Sequence, residues 1–330
     1  ELAALTRCAG GLAKCVQVTA DGPKRQTCTG AAAARCATEL SKVAGERARL
    51  GASIRARCDR APLAVADLLS ARGLGFGGVA EQCGAASEQS IVTFDDIVTC
   101  LSSEIDCRVE GLLDLLAPRA KELLRVADVA AEPPDPLPCL EDHGGSGEGV
   151  SDTAGDGRAL ARCERALKRA GVRFVARKLD GMKKCVGKVF DCIQTRPSDP
   201  ACVTSKARVK CAKAFARLAD EEIRLDGAVR RGCGELDFAS TLRAPNAANL
   251  GALSDACAVV GVADLAGLDD YGRCLFRALD CAAGELLRIE SPRAGELLSL
   301  VRQRPVSSFC PTPAATPTAT STAPTPTAGP

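Results

Sequence analysis

Eighteen of the nineteen cysteines form one series of gaps written twice. From Cys8 the gaps are 7, 13, 8, 22, 25, 17, 7 and 32, ending at Cys139; from Cys185 they are 7, 10, 9, 22, 24, 17, 7 and 29, ending at Cys310. The flanking residues keep the same register: DDIVTCL at 95–101 answers DDYGRCL at 269–275, and PRAKELL at 118–124 answers PRAGELL at 292–298. A chain of 330 residues is long enough for two units with cores of their own. The duplication divides it into a first cysteine-rich repeat (1–140), an acidic glycine-rich stretch expected to be a flexible linker (141–157), a second repeat (158–310) and a Thr/Pro-rich tail expected to be disordered (311–330).

The spacing also decides what the cysteines do. Structural zinc and thioredoxin-like redox sites need close pairs such as C-x2-C, and none occurs. Cysteines seven apart lie two helical turns apart, roughly 10 Å, on one face, so they cannot bond to each other. No cofactor motif survives inspection. The residues around the cysteines are helical in period: Leu160, Cys163, Leu167, Ala170 and Phe174, then Val175, Leu179, Met182, Val186, Val189 and Ile193, recur at three- and four-residue steps. TRPSDP at 195–200 breaks that helix, and a second follows. The predicted fold is all-α, with each repeat built on a long antiparallel helical hairpin plus shorter helices. About the turn the gaps are nearly mirror-symmetric, which predicts nested rungs Cys192–Cys202, Cys185–Cys211 and Cys163–Cys233, and in the first repeat Cys15–Cys28 and Cys8–Cys36. In the second half of each repeat three connectivities are open; neighbours in sequence are favoured, namely Cys83–Cys100, Cys107–Cys139, Cys257–Cys274 and Cys281–Cys310.

Cys163 precedes Cys185 by 22 residues, and its counterpart would precede Cys8 by as much, upstream of residue 1. The chain, which opens ELAAL without signal-peptide features, is therefore expected to start inside its first repeat. Cys58 is then left as a free thiol beside Arg55, Arg57 and Arg60, open to a disulfide-linked dimer.

Nineteen cysteines with no Trp and one each of Met, Tyr and His place the chain in an oxidising compartment: secreted, periplasmic or on the cell surface. No apolar run is long enough for a membrane span. His143, the one histidine, falls in the linker, so Ser-His-Asp and Cys-His arrangements lack a base. GLGFGG at 73–78 matches a dinucleotide-binding motif in letters but follows no strand and reads as a loop. Asp95, Asp96, Asp269 and Asp270 sit where helix caps belong.

Charge gives the one functional direction. Residues 158–213 hold sixteen Lys or Arg against four Asp or Glu, whereas residues 1–130 hold sixteen of each. A face carrying Arg165, Lys168, Arg169, Arg173, Arg177, Lys183, Lys184, Lys188, Lys206, Arg208, Lys210 and Lys213 is expected to attract an anionic polymer or cell-surface component. The plainer account is a solvated face, and aromatic residues to stack on sugars or bases are only 3% of the chain.

With its Ala/Leu/Arg-rich helices and Thr/Pro tail, the whole chain resembles secreted cysteine-rich helical repeat proteins of environmental bacteria, a likeness that implies no activity. The expected function is a non-catalytic structural or binding scaffold. An inhibitor or effector acting on a partner protein through its hairpin loops is the alternative, and an enzyme of unrecognised type comes third.

Overall fold

The computed structural model describes residues 1–58, 64–79, 81, 83, 91–129, 135–150 and 155–311; the tail beyond 311 lies outside the described residues. Among them there are helices and no strands. The first hairpin pairs α1 (Leu2–Val18) with α2 (Pro23–Cys58). After the short α3 (Val65–Leu69) come α4 (Phe94–Leu116) and α5 (Ala120–Val126). The second hairpin pairs the 40-residue α6 (Asp156–Thr195) with a π-helical turn, Cys202–Ala207, running into α7 (Arg208–Cys233). Then follow α8 (Ser254–Val259), α9 (Leu268–Glu290) and α10 (Ala294–Ser299). α4 and α9 are equivalent in sequence, and each has 23 residues.

The turn chemistry expected of the sequence is in place. α6 stops at Thr195, just before Arg196-Pro197. Thr93 and Asp96 form a reciprocal capping box on α4: the Thr93 hydroxyl accepts the Asp96 N–H, and the Asp96 carboxylate accepts the Thr93 N–H. The other three acids do not cap with their side chains. Asp95 pairs with Arg55 of α2 at 2.6 Å and Asp269 with Arg230 of α7 at 2.8 Å, equivalent contacts in the two repeats, while Asp270 faces Arg273. Asp95 and Asp269 tie the hairpin to the helix after it.

Nine disulfides staple the helices. Across the first hairpin run Cys8–Cys36 and Cys15–Cys28; across the second, Cys163–Cys233, Cys185–Cys211 and Cys192–Cys202. Cys83–Cys100 and Cys257–Cys274 fasten the connection to the long third helix, and Cys107–Cys139 and Cys281–Cys310 fasten the segment after it. Cys58 is free. Each bridge restricts the unfolded chain by roughly 2–4 kcal/mol. A thiol-reactive mass tag applied to the native protein should therefore mark Cys58 alone; a tag on Cys139 or Cys310 would show that the pairing register is different.

The repeats share their main core. Leu5, Leu12, Leu112 and Leu116 of the first share one apolar cluster with Leu160, Leu167, Tyr271 and Leu279 of the second. Their loops are exchanged. Arg119, which opens α5, donates to the carbonyls of Asn246 and Ala247 at 2.8 and 3.1 Å while Glu122 grips its other nitrogens. Arg293, which opens α10, donates to the carbonyls of Arg72 and Gly73 at 3.2 and 3.0 Å while Glu296 grips it. The two sets occupy the same offsets from Cys107 and from Cys281. Each repeat thus reaches into the other in the same way, the pattern of an isologous contact within one chain. The glycine-rich loop serves this exchange: Gly75 sits at φ +76°, where an added Cβ would lie 2.9 Å from Arg293 Cγ, and its counterpart Asn249 is also left-handed at φ +55°.

Residues 143–150, whose composition suggests a free spacer, are bound across this seam. Glu122 accepts the Gly147 N–H, Arg119 donates to the Glu148 carbonyl, and Gln17 accepts the Val150 N–H while donating to Asn246 and Ala247. Asn249 donates to the carbonyls of His143 and Gly144. The segment has little apolar surface of its own; its order comes from backbone groups that satisfy buried polar side chains.

Near the seam each repeat buries charge, with the signs rearranged. In the second, Lys178 of α6 pairs with Asp280 of α9 and also donates to the Asp280 carbonyl at 2.7 Å. In the first, the position of Lys178 is held by Glu1, and Arg47 supplies the cation to Glu1 and Asp106. Burial and the neighbouring Glu1 push the Asp106 carboxyl up to about 7, whereas burial, opposed by Asp280, lowers the ammonium pKa of Lys178.

Candidate anion-binding groove

A groove of about 480 Å³ runs where α1 lies against the first half of α6. Small residues at Gly10, Ala161 and Ala176 let the helices approach and form an apolar floor. Cations line its rim because α1 contains Arg7 and Lys14 and no acid, while α6 brings Arg165, Lys168, Arg169 and Arg173 with only Glu164 beside them.

The cations fall into two groups. Lys168 is buried against Gly10 and neutralised by Glu164 at 3.0 Å; Arg7 is held by Glu39 and Arg173 by Glu221. Lys14, Arg165 and Arg169 are exposed and have no ion pair with any described residue. A second groove, between α6 and α7, shares Arg169 and Arg173 and adds Arg231 together with Arg224, which Glu221 engages at 2.6 Å.

The twelve cations expected to form one face are therefore divided. Arg165, Lys168, Arg169 and Arg173 line the groove. Lys183, Lys184, Lys188 and Lys206 are each engaged by an acid, Glu290, Asp180, Asp191 and Asp199 respectively. Arg177, Arg208, Lys210 and Lys213 are exposed but line neither groove. The reading of the sequence missed Arg7 and Lys14, because acids elsewhere in the first repeat balance its total; the absence of any acid on α1 was the available signal.

Other polar clusters have structural accounts. Glu110 accepts the Cys139 N–H at 2.7 Å and Asp114 the Glu141 N–H at 3.2 Å, so two carboxylates one helical turn apart dock the chain after α5 onto α4. Burial, with help from the charges of Glu141 and Glu110, pushes Asp114 up to about 7. His143 Nε2 stands 3.8 Å from both Asp114 and Glu141 and lines neither groove. Among the described residues no cluster of His, Cys, Asp or Glu could hold a metal ion, and no helix is long and apolar enough to cross a membrane. No family model matches the chain, and no curated protein or solved structure matches it either.

Proposed function

We propose that the protein is a secreted or cell-surface binding scaffold, without catalytic activity of its own, that holds an anionic polymer along the α1–α6 groove. The observation that carries this reading is the trio Lys14, Arg165 and Arg169: three exposed cations on two helices of different repeats, with no acid to neutralise them. One surface ion pair contributes little, so a ligand gains affinity here by bridging several cations at once. The nine disulfides suit an oxidising compartment outside the cytoplasm, and they staple α1 to α2 and α6 to α7 on either side of the groove.

The wild-type chain should bind immobilised heparin and elute with rising salt. The triple variant Lys14→Glu/Arg165→Glu/Arg169→Glu should elute at clearly lower salt. Arg208→Glu/Lys210→Glu/Lys213→Glu, which changes the same charge away from the groove, should elute close to wild type. Equal shifts for the two triples would reduce the effect to net charge and count against the groove.

A further inference from the structure

The exchanged repeats have two equivalent seams, and among the described residues only one is filled by a helix. At the first, Ala9, Ala13, Pro118, Arg119 and Leu123 surround Glu164, Leu167 and Lys168 of α6, with Ala248 and Leu250 of the opposite loop closing one side. The first half of α6 runs antiparallel to α1 there: Gly157 lies against Gln17, Lys168 against Gly10, and Ala176 lines the same groove as Ala3. Leu167 is 1% exposed, and an added Cβ on Gly171 would lie within 2.3 Å of Leu116.

The equivalent positions of the second repeat form a groove of about 280 Å³. Val186, Phe190, Pro292, Arg293 and Leu297 take the places of the five α1 and α5 residues, and Leu74 and Phe76 take those of Ala248 and Leu250. Gly187 stands where Gly10 stands. Beyond a Cβ built on Gly10 lies Lys168 of the seated helix, at 3.5 Å; beyond one built on Gly187 nothing lies within 4 Å. Leu74 remains 38% exposed, and no described helix occupies the site that α6 occupies at the first seam.

We propose that this groove along the second half of α6 receives an amphipathic α-helix of a separate partner protein, antiparallel to α6, that inserts an apolar residue in the manner of Leu167. The first seam states the recognition rules: a leucine-sized side chain between Val186, Phe190 and Leu297, and a small residue one turn later, as Gly171 is, where the backbone crosses Glu290. This is helix-in-groove recognition, with i, i+3 and i+4 contacts supplying the anchor. It is separate from the anionic ligand proposed for the α1–α6 groove and uses none of those cations.

The probe is a fluorescein-labelled peptide of residues 156–178 with Cys163→Ser, titrated against the full chain and followed by anisotropy. Saturable binding with a Kd on the order of 10 µM is expected. Gly187→Trp fills open space on the surface of α6, so it should leave the melting temperature unchanged while weakening the peptide by about tenfold or more. A scrambled peptide of the same composition should not bind. Absence of binding up to about 1 mM, equal binding of the scrambled peptide, or an unchanged Kd for Gly187→Trp would each overturn the proposal. A wild-type dimer that Gly187→Trp converts to a monomer, seen by light scattering, would assign the groove to a second copy of the chain and overturn it as well.

Discussion

Arg119→Ala should cost about 3–5 kcal/mol of stability, and the equivalent Arg293→Ala about 1–2 kcal/mol. Both arginines clamp the opposite repeat's loop, but their surroundings differ. The Arg119 and Glu122 side chains are 4% and 6% exposed, and Arg119 also satisfies the Glu148 carbonyl. Removing it strands a buried carboxylate and the Glu148 carbonyl, while the Asn246 and Ala247 carbonyls keep Gln17 as a donor. Glu296 is 55% exposed, so water replaces most of what Arg293 gives up. Urea unfolding with the disulfides intact measures both. Equal losses would mean that depth of burial does not set the strength of the two clamps, and losses near zero at both would mean that the loops are not held by them.

The second large effect is expected at the buried pair. Asp280→Ala leaves the Lys178 ammonium uncompensated at 3% exposure and should destabilise by about 3–5 kcal/mol, whereas Lys178→Met/Asp280→Leu together should come within about 1–2 kcal/mol of wild type. The first repeat should behave differently. There two carboxylates share one arginine, and burial and Glu1 already hold Asp106 at about 7. With a folded-state pKa above the ordinary carboxyl value, the folded state binds the extra proton, so this group's contribution to stability falls as pH rises from the usual carboxyl range through about 7. Asp106→Asn should remove that part of the fall and cost little at pH 8. If Asp280→Ala loses less than about 1 kcal/mol, the Lys178 site is wetter than its burial implies.

The legible part of the fold was written in cysteines. A covalent ladder across a helical hairpin must leave a mirror-symmetric series of gaps, and a helix that buries one face must space its apolar residues by three and four, so rungs and hairpins could be read from one chain. The exchange of loops could not. PRAKELL and PRAGELL were visible as a shared motif, yet whether Arg119 reaches its own loop or that of the other repeat depends on tertiary path, and both choices satisfy the same local pattern. The linker misled for a related reason: glycine and acids signal freedom, but Gly147 and Val150 are held through backbone N–H groups that composition does not display. The groove was half legible. Arg165 and Arg169 stood out in a basic stretch, while Lys14 lay within residues 1–130, whose charges sum to nothing.

That the two repeats form one body, each completed by the other's loop, is tested most directly by cutting between them. None of the nine disulfides joins residues 1–140 to residues 158–310, so a protease site placed at 151–154 allows the halves to part once the chain is cleaved. The cleaved protein should elute from a sizing column as a single particle of the intact size under native conditions, and should resolve into two bands on a denaturing gel without reductant. Two separate native peaks after cleavage would mean that the repeats are independent units, and would contradict the shared core and the exchanged arginine clamps together.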